Sequence, residues 1–327
     1  MNSGKKIGFL LLLICSWGFS LAQSDGALLS FSNKLLLNPS FAGLNKNTNL
    51  WTGIYFVAEN KKNLNNEFFT TWDSWSEKLN GGVAISFHQG LTGNINTSTT
   101  GLGFTFTKPF KSTKNGMLIP SVNISYKGST KHWFATYIDG VLNRKTEPPS
   151  PPGEEFLRYN IFQPKLGILW VSPIRQIGLS ASFPLKINIA ESGDLPEKAG
   201  PQLIFYYTQS QMGKQNGLVS QPFKASPEIV VLYSDQVILS RAGLRFENVN
   251  HNYAVFLQNN YTSNFHGLGL TYGWRFGNFE LNLTGGGAYS FSTDAIGGFG
   301  EATLRLVIPY VHFNKKNPWA PVTKPFY

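Results

Sequence analysis

The chain has 327 residues and a formal net charge of +10, but only 14% of its residues are charged, whereas 14% are aromatic and 33 are glycine. About a quarter of the residues of a typical soluble domain are charged, so the composition argues against an ordinary soluble protein. Basic residues never run longer than two in sequence, as at Lys61-Lys62, which argues against a nucleic-acid-binding patch.

Residues 1–22 have the features of a secretory signal peptide. Two lysines precede an apolar run, and the small residues Ser20 and Ala22 allow cleavage before Gln23. Cys15, the only cysteine of the chain, lies in this segment. The exported protein would therefore carry no disulfide, no thiol nucleophile and no cysteine-bound metal.

The next segment, residues 23–46, contains the stretch LLLNPSFAG, in which a break follows an apolar run. Pro39 fixes its own φ and disfavours the helical region for Asn38, so a short helix is expected to end there. Gly43 permits a turn before the first predicted strand.

From about residue 47 to residue 313 the hydrophobic pattern alternates with a period of two, which is typical of β-strands. In GLGLTYGWRFG, large apolar residues from Leu268 to Phe276 alternate with small or polar ones. After the signal peptide no apolar stretch approaches the roughly 20 residues of a membrane helix. The turn signals predict fourteen strands, near residues 47–59, 67–78, 82–89, 97–110, 116–128, 161–172, 176–187, 201–210, 223–233, 236–247, 251–260, 266–276, 278–291 and 298–313.

The lengths of these strands and of their connections favour a membrane protein. Several strands extend 10 to 14 residues, as a tilted membrane strand requires. Short turns such as Gly277-Asn278 alternate with longer loops, of which residues 129–160 form the longest. We therefore expect an all-β fold, a transmembrane antiparallel β-barrel of about 14 strands over residues 47–313, in the outer membrane of a Gram-negative cell. Residues 314–327 would form a C-terminal tail.

Alternation also assigns ionisable residues to the inner face of the predicted barrel. Arg275 and Glu280 lie across the Gly277-Asn278 turn, where they could form a cross-strand pair. Such residues would either brace the interior electrostatically or form a constriction that selects solutes, and both interpretations stay open. The candidate lumen charges are Arg245, Arg275, Glu280, Glu301 and Arg305.

The sequence lacks a nucleophile elbow, a zinc-protease motif, a P-loop and a dinucleotide-binding motif, and its five histidines are isolated from one another. We therefore expect no enzymatic activity, no catalytic residues, no metal-binding residues and no cofactor. One alternative is an outer-membrane hydrolase, in which His266 and Ser290 would lie on neighbouring strands and face outward at one rim.

A short motif, NPxxAG, occurs just before the first predicted strand. Its residues are Asn38, Pro39, Ala42 and Gly43. Together with the chain length and the fourteen-strand pattern, this motif resembles the PorP/SprF family, outer-membrane proteins of the type IX secretion system of Bacteroidota.

The resemblance implies a non-enzymatic barrel that supports secretion or surface attachment of specific cargo, such as gliding adhesins. Its implied partners are outer-membrane lipid, type IX secretion components and secreted cargo protein, with neither nucleic acid nor a small-molecule substrate. The alternative is a solute channel of the fatty-acid-transporter or porin type.

The motif also suggests a location for the N-terminal segment. Leu35 to Leu37 are apolar and would emerge in the periplasm directly after the signal peptide, where they need burial. We expect the segment to fold into or across the periplasmic mouth of the barrel, capping the lumen as a plug. A structural hinge and a docking site for a partner stay open as its role.

Overall fold

The wall of the molecule is one closed sheet of fourteen antiparallel strands. Each strand pairs with its neighbours in sequence, and the first strand pairs with the last, from Thr48 opposite Ile308 to Glu59 opposite Gly297. Closure satisfies the backbone hydrogen bonds of every strand without a free edge, which is what hydrocarbon requires of a spanning sheet. The predicted all-β antiparallel barrel of about 14 strands is confirmed.

The computed structural model describes residues 32–59, 63–92, 97–113, 116–131, 158–188, 200–209, 211–212, 224–234, 238–262, 264–291, 294–309, 312–314 and 317–322. The predicted signal peptide and most of the loop over residues 129–160 lie outside these ranges. The wall strands are β1 (Thr48–Glu59), β2 (Asn63–Ser76), β3 (Gly81–Thr92), β4 (Thr97–Thr107, continued by Phe110–Thr113), β5 (Gly116–Lys131), β6 (Arg158–Val171), β7 (Arg175–Ser182, continued by Leu185–Asn188), β8 (Gln202–Gln209, continued by Gln211–Met212), β9 (Lys224–Ser234), β10 (Ile238–Glu247), β11 (His251–Asn260), β12 (Phe265–Phe276), β13 (Phe279–Ser290) and β14 (Ala295–Ile308).

Three of the described strands continue after an interruption, and in β4 and β7 a proline lies at it. β4 breaks at Lys108 and Pro109, and β7 breaks at Phe183 and Pro184. Proline has no N–H to donate to the ladder, so regular pairing stops there and resumes beyond it.

The outer face of the barrel is apolar on every strand. On β12, Leu268 and Leu270 are 53% and 58% exposed, whereas Gly267 and Gly269, which alternate with them, are buried. One outward-facing apolar residue from each strand in turn is Ile54, Phe68, Ile85, Phe104, Ile124, Leu166, Leu179, Leu203, Ile229, Leu244, Val255, Leu268, Leu283 and Leu304. A continuous apolar surface of this extent is unfavourable in water and favourable against lipid.

The two ends of the barrel differ. One end, the short-turn end, carries tight connections such as Glu77–Asn80, Ser172–Ile174 and Gly277-Asn278, and β1 begins there. At the opposite end, which we call the long-loop end, β5 ends and β6 begins, as do β7 and β8. The connecting segments 132–157 and 189–199 are outside the described residues.

Before β1, the chain forms a short helix, α1 (Lys34–Leu37), and a 3₁₀ turn (Pro39–Phe41). No helix among the described residues is long and apolar enough to cross a membrane. After β14, a separate two-stranded sheet consists of β15 (His312–Asn314) and β16 (Asn317–Val322).

Candidate functional site

The segment Ser32–Gly43, which we call the plug, lies inside the barrel near its short-turn end. Asn33 caps the start of α1, because its Oδ1 accepts a 3.1 Å hydrogen bond from the N–H of Leu35. The Nδ2 of the same residue donates to Thr71 Oγ1 of β2 at 2.8 Å. Leu37 is fully buried and belongs to an apolar cluster with Tyr206 of β8. The plug is therefore anchored by both polar and apolar contacts.

Asn38 links the plug to two neighbouring strands. Its backbone is extended, with φ −140° and ψ 120°, so α1 ends at Leu37 and the 3₁₀ turn begins at Pro39. The Oδ1 of Asn38 accepts a hydrogen bond from Ser40 N at 2.9 Å. Its Nδ2 donates to the carbonyls of Ile168 on β6 and Leu179 on β7, both at 3.2 Å. One side chain thus terminates the helix and binds the wall.

The end of the plug is held by β5, β4 and, again, β2. The hydroxyl of Ser40 lies 2.8 Å from that of Ser121 on β5. The carbonyl of Ala42 accepts a 3.1 Å hydrogen bond from Thr107 Oγ1 on β4. The N–H of Gly43 donates to Asp73 Oδ2 on β2 at 3.0 Å.

The NPxxAG residues therefore all lie against the barrel wall or in the turns that direct the plug along it. Pro39 is buried at the first position of the 3₁₀ turn. Gly43 has φ +63°, and a Cβ there would lie 2.7 Å from Gly82 Cα. Only glycine combines this backbone conformation with so close an approach.

A buried group of ion pairs lies beside the plug. Glu228 of β9 is 7% exposed and contacts Arg241 at 3.2 Å and Arg245 at 3.5 Å, both on β10. Lys34 of the plug approaches the same carboxylate at 3.9 Å and donates to Tyr206 Oη at 2.5 Å. Burial lowers the pKa of the Lys34 amine to about 8, although Glu228 favours its charged form.

A second group of ion pairs centres on Glu280 of β13. Its Oε2 lies 3.3 Å from Arg275 Nε and 3.2 Å from Arg305 Nη1. Arg305 also donates to Asn49 Oδ1 on β1 at 2.9 Å. Asn252 of β11 donates to Glu280 Oε1 at 3.1 Å. These contacts connect five consecutive wall strands, β11 to β14 and β1, along the inner face of the barrel.

All five of the candidate lumen charges lie on inner faces of strands. Arg275 and Glu280 are directly opposite in the β12–β13 register. Arg245 joins the Glu228 group, and Arg305 joins the Glu280 group. Glu301 is 3% exposed and interacts electrostatically with Arg241.

Sequence reasoning did not single out Glu228, Arg241 or Asp73. A signal for Glu228 was available, because it alternates with Val230 and Leu232 and is the only acidic residue of that inward row on β9. No comparable signal pointed to Asp73, since its partners are a backbone N–H of the plug and an asparagine amide.

The proposed pairing of His266 and Ser290 is wrong. His266 lies two residues before Leu268 on β12, so it is on the same outer face of the strand. Ser290 is fully buried on the inner face of β13. Adjacent residues of a strand point to opposite faces, so the two side chains lie on opposite sides of the wall. The ring nitrogens of His266 instead lie 3.0 Å from the Oδ1 atoms of Asn259 and Asn264.

In the part of the chain that the structure describes, no group of three or more His, Cys, Asp or Glu residues could hold a metal ion. The lumen of the barrel holds the N-terminal plug and the two groups of ion pairs around Glu228 and Glu280.

No family model and no curated protein matches the chain. Among solved structures, the chain is similar to the CymD monoaromatic hydrocarbon channel, with 8% identity over 91% of this chain and 96% of that one and a TM-score of 0.49. The Pseudomonas putida toluene transporter TodX gives 10% identity over 89% and 95% of the two chains and a TM-score of 0.46. For CdiB from Acinetobacter baumannii the identity is 7%, the TM-score is 0.46, and the match covers 79% of this chain but 60% of that one. At these identities and TM-scores, the similarity gives no information about the function of this chain.

The closed sheet and its apolar outer face define the class of the protein directly. It is a membrane-spanning β-barrel of the outer-membrane type, with an N-terminal plug in its lumen.

Proposed function

We propose that the protein is a non-enzymatic component of the type IX secretion system in the outer membrane of a Gram-negative cell. It would support the secretion or surface attachment of specific cargo proteins, such as gliding adhesins. The observation that carries this proposal is the docking of the NPxxAG residues. Asn38, Ala42 and Gly43 each hydrogen-bond the wall, so the motif that resembles the PorP/SprF family is also the part of the plug that fixes its position.

The state of the lumen supports a role in protein contacts. The plug and the paired charges around Glu228 and Glu280 occupy the lumen at the short-turn end. A solute channel needs a hydrated path with polar groups available to the solute. Around Glu228 and Glu280 the charged groups are bonded to one another, which favours a role in protein contacts at the rims of the barrel over conduction through it.

Deleting the gene and comparing the secretome and surface adhesins with those of the parent strain tests the proposal. We expect loss of export or attachment for a small set of cargo proteins. Complementation with the wild-type gene should restore them, whereas the variant Asn38→Ala should restore them less well. A matched control is Asn278→Ala, which changes an exposed residue of the β12–β13 turn. Unchanged export of every cargo in the deletion strain would refute the proposal.

A solute channel is the second candidate, favoured by one observation. A cavity of about 80 Å³ lies between the plug and the long-loop end, and its lining includes polar residues such as Asn123, Gln163 and Lys127. Planar-bilayer recordings of the intact barrel and of a variant lacking residues 32–43 separate the two functions. Steady conductance of the intact barrel supports a channel, whereas conductance that appears only after removal of the plug supports a closed barrel.

A further inference from the structure

The cavity above the plug has a definite shape. We call it the cup, and its floor is formed by Leu35, Leu36 and Pro39 of the plug. On β3 and β5 its wall residues His88 and Lys127 lie further toward the long-loop end than the residues that contact the plug. The cup is therefore a recess between the plug and the long-loop end.

The volume of the cup limits what it can hold. A single water needs about 10–15 Å³ of such space, so about 80 Å³ accommodates a group of a few heavy atoms. A carboxylate with its adjoining carbon fits this space, whereas a folded chain or a large sugar does not.

The charges of the lining favour an anion. Lys127 and Lys165 are its basic residues, and among the described lining residues Glu67 is the only acidic one. Glu67 Oε1 on β2 lies 3.2 Å from His88 Nδ1 on β3. The lining therefore has an excess of positive charge in a confined space, where an added anion is favoured.

The polar walls are preorganised. Asn123 Nδ2 donates to Thr105 Oγ1 at 2.8 Å, and Gln163 Nε2 donates to Ser182 Oγ at 3.1 Å. These bonds fix the amides, whereas a lysine amine carries three donor protons on a long stem, so it can keep a partner within the protein and still donate to an anion. The lysines are the groups best able to adjust to a bound anion.

We propose that the cup binds a carboxylate group through Lys127 and Lys165. The carboxylate belongs either to a small organic acid or to the C-terminus of a peptide that enters from the long-loop side. This site does not depend on the secretion role, because its chemistry follows from the lining alone.

The plug is part of the proposed site, which has a thermodynamic consequence. Leu35, Leu36 and Pro39 form the floor, and Lys165 Nζ also donates to the Leu36 carbonyl at 2.9 Å. A ligand that contacts this floor binds the docked state better than an undocked one. Carboxylate binding therefore stabilises plug docking, and undocking the plug weakens carboxylate binding to the same extent.

Isothermal titration calorimetry on the mature barrel in detergent tests the site. Three probes are compared: glutarate, the tripeptide Gly-Gly-Ala with a free C-terminal carboxylate, and the same tripeptide as its C-terminal amide. We expect the free-acid tripeptide to bind at least about tenfold more tightly than the amide, since a hydrogen bond to a charged group contributes about 1.5–3 kcal/mol. Binding of glutarate with equal or greater affinity would assign the site to small acids.

Variants locate the binding in the cup. Lys127→Gln and Lys165→Gln should each weaken binding about tenfold or more. Lys108→Gln is the matched control, because Lys108 is exposed at the break in β4 and does not line the cup. Each variant is first checked for folding by the shift in its gel mobility on heating.

A second readout follows the plug. The variant Ser40→Cys replaces a fully buried hydroxyl with a thiol that a maleimide reaches only when the plug undocks. The free-acid peptide should slow this labelling, and the amide should not. Equal binding of acid and amide, wild-type affinity in both lysine variants, or no binding of any carboxylate probe would overturn the proposal. None of these results bears on cargo export, which the gene deletion tests separately.

Discussion

The N–H of Gly43 donates a 3.0 Å hydrogen bond to the buried carboxylate of Asp73, and this contact ties the end of the plug to β2. The same oxygen, Oδ2, accepts a second 3.0 Å hydrogen bond from Asn49 Nδ2 on β1. One carboxylate thus joins the plug and the first two strands. Its loss should affect plug docking more than it affects the barrel.

We expect Asp73→Ala to weaken plug docking, because it removes the acceptor of two buried donors. Leaving such a donor without a partner costs about 1–3 kcal/mol. Maleimide labelling of Ser40→Cys should accelerate by about tenfold. Asp73→Asn retains one acceptor oxygen and should have a smaller effect. Equal labelling rates in the parent, the alanine and the asparagine variants would contradict this interpretation.

Gly43→Ala should also loosen the plug. The residue has φ +63°, and its Cβ would lie 2.7 Å from Gly82 Cα and 2.8 Å from the Ser74 carbonyl. Both contacts are with backbone atoms, so the plug must move to relieve them. We expect faster labelling of Ser40→Cys, by more than tenfold, together with an intact barrel.

Gly277→Ala is the matched control for that variant. Gly277 has φ +60°, but a Cβ there would meet nothing within 4 Å. The substitution should therefore cost only about 1 kcal/mol of stability, which is the penalty for a Cβ at positive φ in the β12–β13 turn. It should lower the stability of the barrel slightly and leave the labelling rate unchanged. If both alanines changed labelling equally, the close approach at Gly43 would not be the cause.

The barrel was predictable because its signals are local. Alternation and turn residues repeat along the chain, and each strand pairs with the next, so a correct strand count is also a correct topology. The breaks at Pro109 and Pro184 were read as continuous strand. Proline cannot donate to a ladder, but Pro120, Pro164 and Pro227 lie within unbroken strands, so proline alone does not locate a break.

The contacts inside the lumen were less predictable. Alternation identifies the inner face of a strand but not which strands meet across the interior. Arg275 and Glu280 were paired correctly because one hairpin connects them. The approach of Lys34 to Glu228 depends on where the plug crosses the lumen, and no local pattern specifies that.

Glu228→Gln should destabilise the barrel strongly. Its carboxylate lies within 4 Å of Arg241, Arg245 and Lys34, and removing the charge leaves three cations in a buried site. Breaking a buried ion pair at one partner costs about 3–5 kcal/mol. Urea unfolding from lipid vesicles, followed by tryptophan fluorescence, should give a lower midpoint.

Lys224→Gln is the control for the loss of an ion pair. Lys224 is 40% exposed and lies 4.0 Å from Glu247, so its removal should cost about 1 kcal/mol or less. A midpoint for Glu228→Gln no lower than that of Lys224→Gln would mean that the buried group does not stabilise the barrel.

Plug docking should strengthen as the pH rises from about 8 to about 10.5. The pKa of Lys34 is about 8 in the docked plug because burial disfavours the charged amine, whereas the ordinary value is 10.5. Between these values the docked state has lost the proton and the undocked state has retained it, so raising the pH favours docking. Below pH 8 both states are protonated, and Lys34 contributes no pH dependence. Labelling of Ser40→Cys, normalised to the exposed reference Asn278→Cys, should therefore slow across this window.

Lys34→Met should abolish that dependence, because the side chain no longer titrates. The opposite trend, with labelling that accelerates between pH 8 and 10, would indicate that the attraction between Lys34 and Glu228 outweighs the cost of burying the amine. Glu228 is buried and the Lys34 side chain is 27% exposed, and the 3.9 Å separation of Nζ and Oε2 is long for an ion pair. At that distance the electrostatic attraction offsets only part of the desolvation cost, so we expect the neutral amine to be the better-bound form.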